Sequence, residues 1–372
     1  MEYKPAFDGV RALSVVAVVF FHCGVPGAGG GFVGLDMFFV LSGYLITSLL
    51  ATEYRSGGIQ IGRFYARRAL RLFPTLLLVL AAYVVLAPVL WPSDDRWLSA
   101  ALAGFYLYDY ALAFWQLPYT VGHTWSLGVE EKFYLLWPLL LPLLLRTQRP
   151  IAWLLAAFVA VTAWRYYVAM RWAWPQAYFC FDTRMSGIVL GAIAALSGFK
   201  VSRYAVIVAS LALAVLVALP SLPTSYQTEA VTLRITLAEL AAFVIVCHAA
   251  EHAKSTFLAS RPMVYIGRLS YGIYLWHFPF ALLVRDSQPL WITLGSTIVF
   301  SFTMAAICLH LVDVPIKNWR QRAWPLLDPK RRATDAGNRS NVEDAGGEMI
   351  STTSGPPYEA AHEASRTHIH HA

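Results

Sequence analysis

The sequence predicts an all-α, polytopic membrane protein: a bundle of about ten transmembrane helices with both termini in the cytoplasm. Of the 372 residues, 58% are hydrophobic and only 14% are charged, whereas about a quarter are charged in average soluble domains. The mean hydropathy is +0.53. Apolar runs recur along the chain with short connections, and several approach the roughly 20 residues that a spanning helix needs.

The apolar runs occupy ten segments of the chain. They are residues 12–23, 32–52, 72–91, 131–145, 151–170, 184–198, 204–219, 230–249, 269–284 and 290–312. The segment 94–116 is ambiguous, because Asp109 interrupts it, and it either spans the membrane or lies along its surface. If it does not cross, every basic loop falls on the N-terminal side, as the excess of Lys and Arg in cytoplasmic loops requires. The prediction is therefore ten spans rather than eleven.

The net charge of +7 comes almost entirely from the apolar part of the chain. Residues 1–316 carry 21 Lys and Arg against 15 Asp and Glu, and residues 317–372 carry 8 against 7. The basic excess therefore sets membrane topology and predicts no nucleic-acid partner. We expect 1–316 to form an integral-membrane domain and 317–372 a disordered cytoplasmic tail. The four cysteines lie far apart and predict no zinc site or redox pair.

The first apolar helix starts in a charged cluster and ends on His22. Arg11 and His22 are eleven residues apart, about 16 Å and three helical turns, so they share nearly one face. A polar group inside a membrane costs on the order of 2.5–3.5 kcal/mol and calls for a reason. We interpret His22 as a catalytic general base and Arg11 as a group that steers a donor or pairs with an acid. The alternative is a histidine satisfied by a backbone carbonyl at the interface.

The second stretch, residues 29–46, places Asp36 one turn into the next apolar helix. A tight hairpin would bring Asp36 and His22 to the same non-cytoplasmic side. An acid beside an imidazole fixes its tautomer and raises its basicity, which makes Asp36 a catalytic candidate. The alternative is that Asp36 caps the helix N-terminus. Gly34 and Gly43 suit close helix packing.

The third stretch, FYARRALRLFP at 64–74, puts three arginines at the cytoplasmic mouth of the third helix. Arg68 and Arg71 are three residues apart and share a helical face, which suits a bidentate clamp on phosphate groups. With Arg67 they are the candidate donor-binding residues. A cluster that only sets topology is the alternative.

The last two stretches, HTWSLGVEEKFYLLWP at 123–138 and YIGRLSYGIYLWHFP at 265–279, join carboxylates, hydroxyls, indoles and imidazoles at helix starts. Glu130 is a catalytic candidate that orients an acceptor hydroxyl or assists a base. The candidate substrate-binding residues are His123, Trp125, Ser126, Glu131, Tyr134, Tyr271 and His277. Helix capping, the usual interfacial belt of Tyr and Trp, and a packed interfacial histidine are the alternatives.

In this order, the five stretches resemble the motifs of the acyltransferase family 3 membrane O-acyltransferases, which decorate bacterial surface glycans and glycosides. The matching motifs are FDGVRAL with its Arg-x10-His pattern, GFVGLDMFFVLSGYLI, FYARRALRLFP, HTWSLGVEEKFYLLWP and IGRLSYGIYLWHFP, spread over residues 1–320. The resemblance implies a ten-helix fold that takes an acyl group, usually acetyl, from coenzyme A to a sugar hydroxyl. It also implies that His22 is the catalytic histidine, Arg11 its partner, and Arg68 with Arg71 the donor-site pair.

Three departures from the family pattern bear on these assignments. Lys132 stands where the family usually has glutamine, which weakens the assignment of the two preceding glutamates. VDVP at 312–315 replaces Glu-Arg-Pro, and RMSG at 184–187 is an uncommon form of its segment. These two changes weaken any functional claim for Asp313 and Arg184.

We therefore expect a multi-pass enzyme of the bacterial inner membrane that uses acyl-CoA, with acetyl-CoA as the base case, and no metal. Its acceptor would be a hydroxyl of a carbohydrate or glycolipid, and His22 would act as base or carry the acyl group itself. Some members carry a C-terminal esterase-like domain; the residues after 316 are too few for one, so we expect action alone or with a separate partner. The rival readings are a transporter or flippase of a lipid-linked sugar and a non-catalytic scaffold.

Overall fold

The computed structural model describes residues 3–115, 119–220, 227–253 and 257–326. Throughout these residues every regular element is a helix, which confirms the predicted all-α class. The chain divides into two units, Met1–Ile316 and Lys317–Ala372. The last described helix ends at Leu326, and the remainder of the predicted tail lies outside the described residues.

Short connections join the helices of the first half of the chain. They are α1 (Pro5–His22), α2 (Gly34–Arg55), α3 (Ile61–Leu90), α4 (Arg96–Gly104), α5 (Tyr108–Phe114), α6 (Trp125–Leu145) and α7 (Pro150–Arg171). One-turn 3-10 helices at Gly31–Val33 and Gly122–Thr124 lead directly into α2 and α6.

The second half contains shorter helices and two π-helical turns. The helices are α8 (Trp174–Phe179), α9 (Phe181–Arg184), α10 (Ser186–Ser197), α11 (Arg203–Ala218), α12 (Gln227–Glu229), α13 (Ile235–Glu251), α14 (Arg261–Arg285), α15 (Leu290–Cys308) and α16 (Val314–Leu326). The π-helical turns are Ala230–Arg234, before α13, and Leu309–Asp313, after α15. A 3-10 turn at Phe257–Ala259 precedes α14.

Local sequence explains where several helices begin and end. Pro5 and Pro150 occupy first-turn positions of α1 and α7, where the missing N–H is not needed. Gly198 ends α10 in the left-handed conformation, with φ at 58°. The Ser202 hydroxyl then caps α11 by accepting the Ala205 N–H at 3.2 Å.

Helices cover the ten predicted apolar segments. Among the residues that the structure describes, six helical stretches are long and apolar enough to cross a membrane. The six are Pro5–His22, Gly31–Arg55, Ile61–Leu90, Pro150–Arg171, Gln227–Glu251 and Leu290–Ala323. The ambiguous segment 94–116 contains α4 and α5, of 9 and 7 residues. At 1.5 Å per residue each is far shorter than a hydrocarbon core of about 30 Å.

Helices α1 and α14 pack side by side and run in the same direction. Near their starts, a Cβ on Gly267 would overlap the backbone of Asp8. Near their ends, His22 contacts His277. The absent side chain at Gly267 lets the two backbones approach closely, so the end of α1 lies against the last turns of α14.

Helices α2 and α10 also run in the same direction, because Asp36 meets Arg184 just before α10 and Gly43 meets Gly191 seven residues further on in each. They meet through glycines. A Cβ on Gly43 would overlap the Ile188 carbonyl, and one on Gly191 would overlap the Val40 carbonyl. At Gly34 an added Cβ would lie 2.6 Å from the Ser14 carbonyl oxygen of α1. The predicted role of Gly34 and Gly43 in close helix packing is therefore confirmed.

Candidate active site

A small cavity lies beside the C-terminal residue of α1, His22. Its volume is about 170 Å³, and its wall is mostly aromatic. The aromatic and imidazole side chains that line it are Phe21, His22, Phe32, Tyr119, His123, Trp125, Trp174, Tyr178, Phe179 and Tyr274. We call this space the histidine cavity. It combines two imidazoles able to accept a proton, those of His22 and His123, with ring faces able to hold a flat or ring-shaped substrate.

His277 of α14 is the hydrogen-bond partner of His22. The two ring nitrogens, Nδ1 of His22 and Nε2 of His277, are 2.9 Å apart. The other nitrogen of His277, Nδ1, lies 2.7 Å from the Tyr274 carbonyl and 3.0 Å from the Ile273 carbonyl. His277 is fully buried. The sequence indicated this residue as a substrate contact, whereas the structure places it behind His22.

Three further predicted residues, together with Tyr274, border the histidine cavity. His123 and Trp125 line it, and the Ser126 hydroxyl bonds the Tyr274 hydroxyl at 2.7 Å. The Tyr274 hydroxyl in turn donates to the His123 carbonyl at 2.5 Å. Tyr274 is not among the predicted site residues, although its spacing of three from His277 on one helix face would have indicated it.

A second polar group lies one helical turn further along α6 and is called the arginine–glutamate cluster. It consists of Ser42, Arg68, Arg71, Glu130, Glu131 and Tyr134. Ser42 donates to Glu130, and the Tyr134 hydroxyl donates to Ser42 at 2.8 Å. The Arg68 guanidinium lies over the Tyr134 ring, 3.7 Å from its centroid.

Arg11 and Tyr271 lie at the edge of the arginine–glutamate cluster. Arg11 interacts electrostatically with Arg71 and Glu130. Its guanidinium is paired with Asp8 of the preceding turn at 2.7 Å. Tyr271 donates to the Leu72 carbonyl at 2.9 Å. Since Arg11 shares α1 with His22, this helix connects the edge of the cluster with the histidine cavity, and the two residues are about 16 Å apart along its axis.

Arg67 does not join Arg68 and Arg71. It forms an ion pair with Glu53 near the C-terminal end of α2. Consecutive residues of a helix point about 100° apart, because one turn contains 3.6 residues. Arg68 therefore faces α6 while Arg67 faces α2. The structure brings Arg68 and Arg71 together but does not place Arg67 with them.

Asp36 is not the partner of His22, so that prediction is wrong. Its carboxylate accepts a hydrogen bond from Arg184 at 2.8 Å, and both side chains have no exposed surface. The hairpin turns Asp36 away from α1, toward the start of α10. The Arg184 guanidinium is enclosed by the rings of Phe39, Trp125 and Tyr178, at 5.2–5.7 Å. The uncommon RMSG segment thus supplies the counter-ion of a buried acid.

Lys132, the departure from the family pattern in α6, has a defined partner. Its ammonium group bonds the buried carboxylate of Asp109 at 2.8 Å and the Tyr106 carbonyl at 2.6 Å. Asp109 is the residue that interrupts the ambiguous segment. Its ion pair with Lys132 of α6 explains how a carboxylate is accommodated in the buried part of this apolar segment.

A second buried ion pair was missed by sequence reasoning. Arg165 of α7 contacts Glu239 of α13 at 3.0 Å, and neither side chain has exposed surface. Ser186 donates to the same carboxylate at 2.6 Å.

Within the described ranges, no group of three or more His, Cys, Asp or Glu side chains has a metal-binding arrangement.

Comparison with known families identifies this arrangement of helices and polar groups. Residues 4–312 match the family described as an acyltransferase domain. The chain belongs to acyltransferase family 3. This confirms the resemblance seen in the five sequence stretches, and the family match includes both the histidine cavity and the arginine–glutamate cluster.

Curated relatives of this family 3 chain come from several bacteria. It is 29% identical over 350 residues to the peptidoglycan O-acetyltransferase OatA of Listeria monocytogenes, covering 85% of this chain and 56% of the relative. It is 30% identical over 363 residues to the O-acetyltransferase OatA of Staphylococcus aureus, covering 89% and 60%. It is 29% identical to the putative peptidoglycan O-acetyltransferase YrhL of Bacillus subtilis, covering 85% and 55%. The chain thus spans less than two thirds of these relatives. No solved structure matches.

Proposed function

We propose that this family 3 protein is a membrane O-acyltransferase that transfers an acetyl group from acetyl-CoA to a hydroxyl of a cell-envelope carbohydrate. The relatives named as O-acetyltransferases, two of them of peptidoglycan, support the reaction and the acceptor class. The observation that carries the proposal is the placement of two chemically different sites along shared helices. Helices α1, α6 and α14 each carry residues in or beside both.

The arginine–glutamate cluster is the proposed donor site. Guanidinium groups bind phosphate oxygens through two parallel hydrogen bonds, and coenzyme A carries several phosphates. Arg68 and Arg71 are the proposed phosphate contacts, with Arg11 at the inner edge. The pantetheine arm would then extend along α1 toward His22.

The histidine cavity is the proposed acceptor site. His22 accepts the proton of the acceptor hydroxyl while the hydroxyl oxygen bonds to the thioester carbonyl carbon. The C–S bond breaks, and the thiolate of coenzyme A takes the proton from His22, leaving an ester and a thiol. In the two-step route, His22 first carries the acyl group itself. Trp125 and Tyr178 offer ring faces on which a sugar would stack.

Ten spans with both termini in the cytoplasm are the proposed topology, in a bacterial inner membrane. Helices α1 and α14 run in the same direction, as do α2 and α10. This agrees with ten spans, in which they are spans one and nine, and two and six. If 94–116 crossed the membrane, α10 and α14 would each be inverted relative to these partners. The basic loop 53–71 supports a cytoplasmic location of the N-terminal side.

Purified protein in nanodiscs, supplied with radiolabelled acetyl-CoA and a cell-wall saccharide, tests the proposal directly. We expect labelled saccharide ester from the wild type and none above background from His22→Ala. His248→Ala, a change in α13 away from both sites, is the matched control and should retain the wild-type rate. Wild-type turnover by His22→Ala would refute the role of His22. Sugar movement across the bilayer without acetylation would favour a transporter instead.

A further inference from the structure

His277 is oriented by its own helix. Its Nδ1 lies within hydrogen-bond distance of the Tyr274 and Ile273 carbonyls, at 2.7 and 3.0 Å. Carbonyl oxygens only accept hydrogen bonds, so Nδ1 of His277 must carry a proton and donate it. In a neutral imidazole the other nitrogen, Nε2, then has only a lone pair to offer.

The lone pair of His277 fixes the tautomer of His22. Nε2 of His277 and Nδ1 of His22 are 2.9 Å apart, and two lone pairs cannot face each other at that distance. Nδ1 of His22 must therefore carry the proton. The remaining nitrogen of His22, Nε2, is left with its lone pair free to accept a proton.

The surroundings of the two rings favour a neutral His277. The ring is fully buried, and burying an unpaired charge is costly. The groups that face the pair are the His123 ring, 5.8 Å from that of His277, and Arg285, which reaches the His22 carbonyl at 3.5 Å. A cation and a third imidazole both oppose a positive charge on His277.

The two carboxylates expected to serve His22 are engaged elsewhere. Asp36 is paired with Arg184, and Glu130 accepts from Ser42 in the arginine–glutamate cluster. We propose that His277 is the positioning residue of His22: it holds the Nδ1–H tautomer and leaves Nε2 as the reacting base. The proposal rests on the proposed function, since it describes how the base of that reaction is oriented.

Three substitutions distinguish a role of His277 in orienting the His22 imidazole from a role in packing alone. His277→Gln places an amide oxygen where Nε2 was and keeps an acceptor for His22. His277→Leu keeps similar bulk and removes the acceptor. His248→Gln controls for loss of a histidine elsewhere. We expect His277→Leu to lower kcat about 10- to 100-fold, the effect that losing the orienting partner of a metal-bound imidazole has, with KM for acetyl-CoA unchanged. His277→Gln should stay within a few-fold of wild type.

Nitrogen NMR of protein labelled at histidine provides a readout independent of turnover. The His22 signals are assigned by their loss in His22→Gln. We expect a protonated Nδ1 and an unprotonated Nε2 in the wild type and in His277→Gln, and a mixture of tautomers in His277→Leu. Thermal unfolding in detergent verifies that each variant is folded.

Two results would overturn the inference. One is a wild-type His22 protonated at Nε2, and the other is wild-type kcat in folded His277→Leu. Either result can occur while His22→Ala abolishes acetyl transfer, so the proposed function would survive. If the wild type transfers no acetyl group, the proposed function fails, and the NMR result still decides whether His277 sets the tautomer.

Discussion

Replacement of Asp36 by asparagine should destabilise the protein without acting specifically on the chemical step. Asp36 and Arg184 are both without exposed surface and 2.8 Å apart. The Arg184 guanidinium is enclosed by the rings of Phe39, Trp125 and Tyr178. Removing the carboxylate charge leaves this cation buried and unpaired. The expected loss in the free energy of unfolding is about 3–5 kcal/mol, the usual cost of breaking one side of a buried ion pair.

A paired substitution tests this reasoning. Asp36→Leu combined with Arg184→Met removes both charges, and it should recover most of the loss because neither ion remains to be desolvated. Asp286→Asn is the control, since that side chain is 83% exposed in its pair with Arg285 and should change stability by less than about 1 kcal/mol. Thermal and denaturant unfolding in one detergent give the free energies.

Kinetics decide between this structural role and the role that the sequence suggested. If Asp36 oriented His22, folded Asp36→Asn would lose kcat while its unfolding transition stayed at the wild-type position. That result would refute the structural assignment. If the ion pair is structural, folded Asp36→Asn assayed well below its transition should keep kcat within a few-fold of wild type.

Three further predictions follow from contacts in the two sites and beside them. Arg68→Ala should raise KM for acetyl-CoA at least about tenfold, the cost of one charge-assisted contact, whereas Arg67→Ala should change it less than twofold in the same titration. Lys132→Gln restores the residue usual in the family but leaves the Asp109 carboxylate buried without its cation; unfolding measurements should show a loss of about 3 kcal/mol, and an unchanged transition would contradict the pairing. Trp174→Ala removes a ring from the cavity wall and should raise KM for the saccharide while leaving KM for acetyl-CoA unchanged, as measured with each substrate varied in turn.

Much of the fold was predictable because its signals are local. Apolar segment length predicted where the helices lie, whereas the count of ten spans, without 94–116, stays a prediction. The same local reasoning placed Arg68 and Arg71 on one helix face and His22 at the end of α1. Each of these statements depends on residues within a few turns of one another.

The partners of the buried polar groups were settled only by tertiary packing. His22 and His277 are 255 residues apart, and Asp36 and Arg184 are 148 apart. Which side chains meet depends on the rotation and axial register of neighbouring helices, and here small-residue contacts such as Gly43 against Ile188 set that register. The sequence alone thus determined that this is a helical membrane protein with a histidine and arginines in its apolar part. Only the packed bundle decided that the hydrogen-bond partner of His22 is an imidazole rather than a carboxylate. The physical reason is that a periodic pattern shows which face of a helix is buried, and not which residue that face contacts.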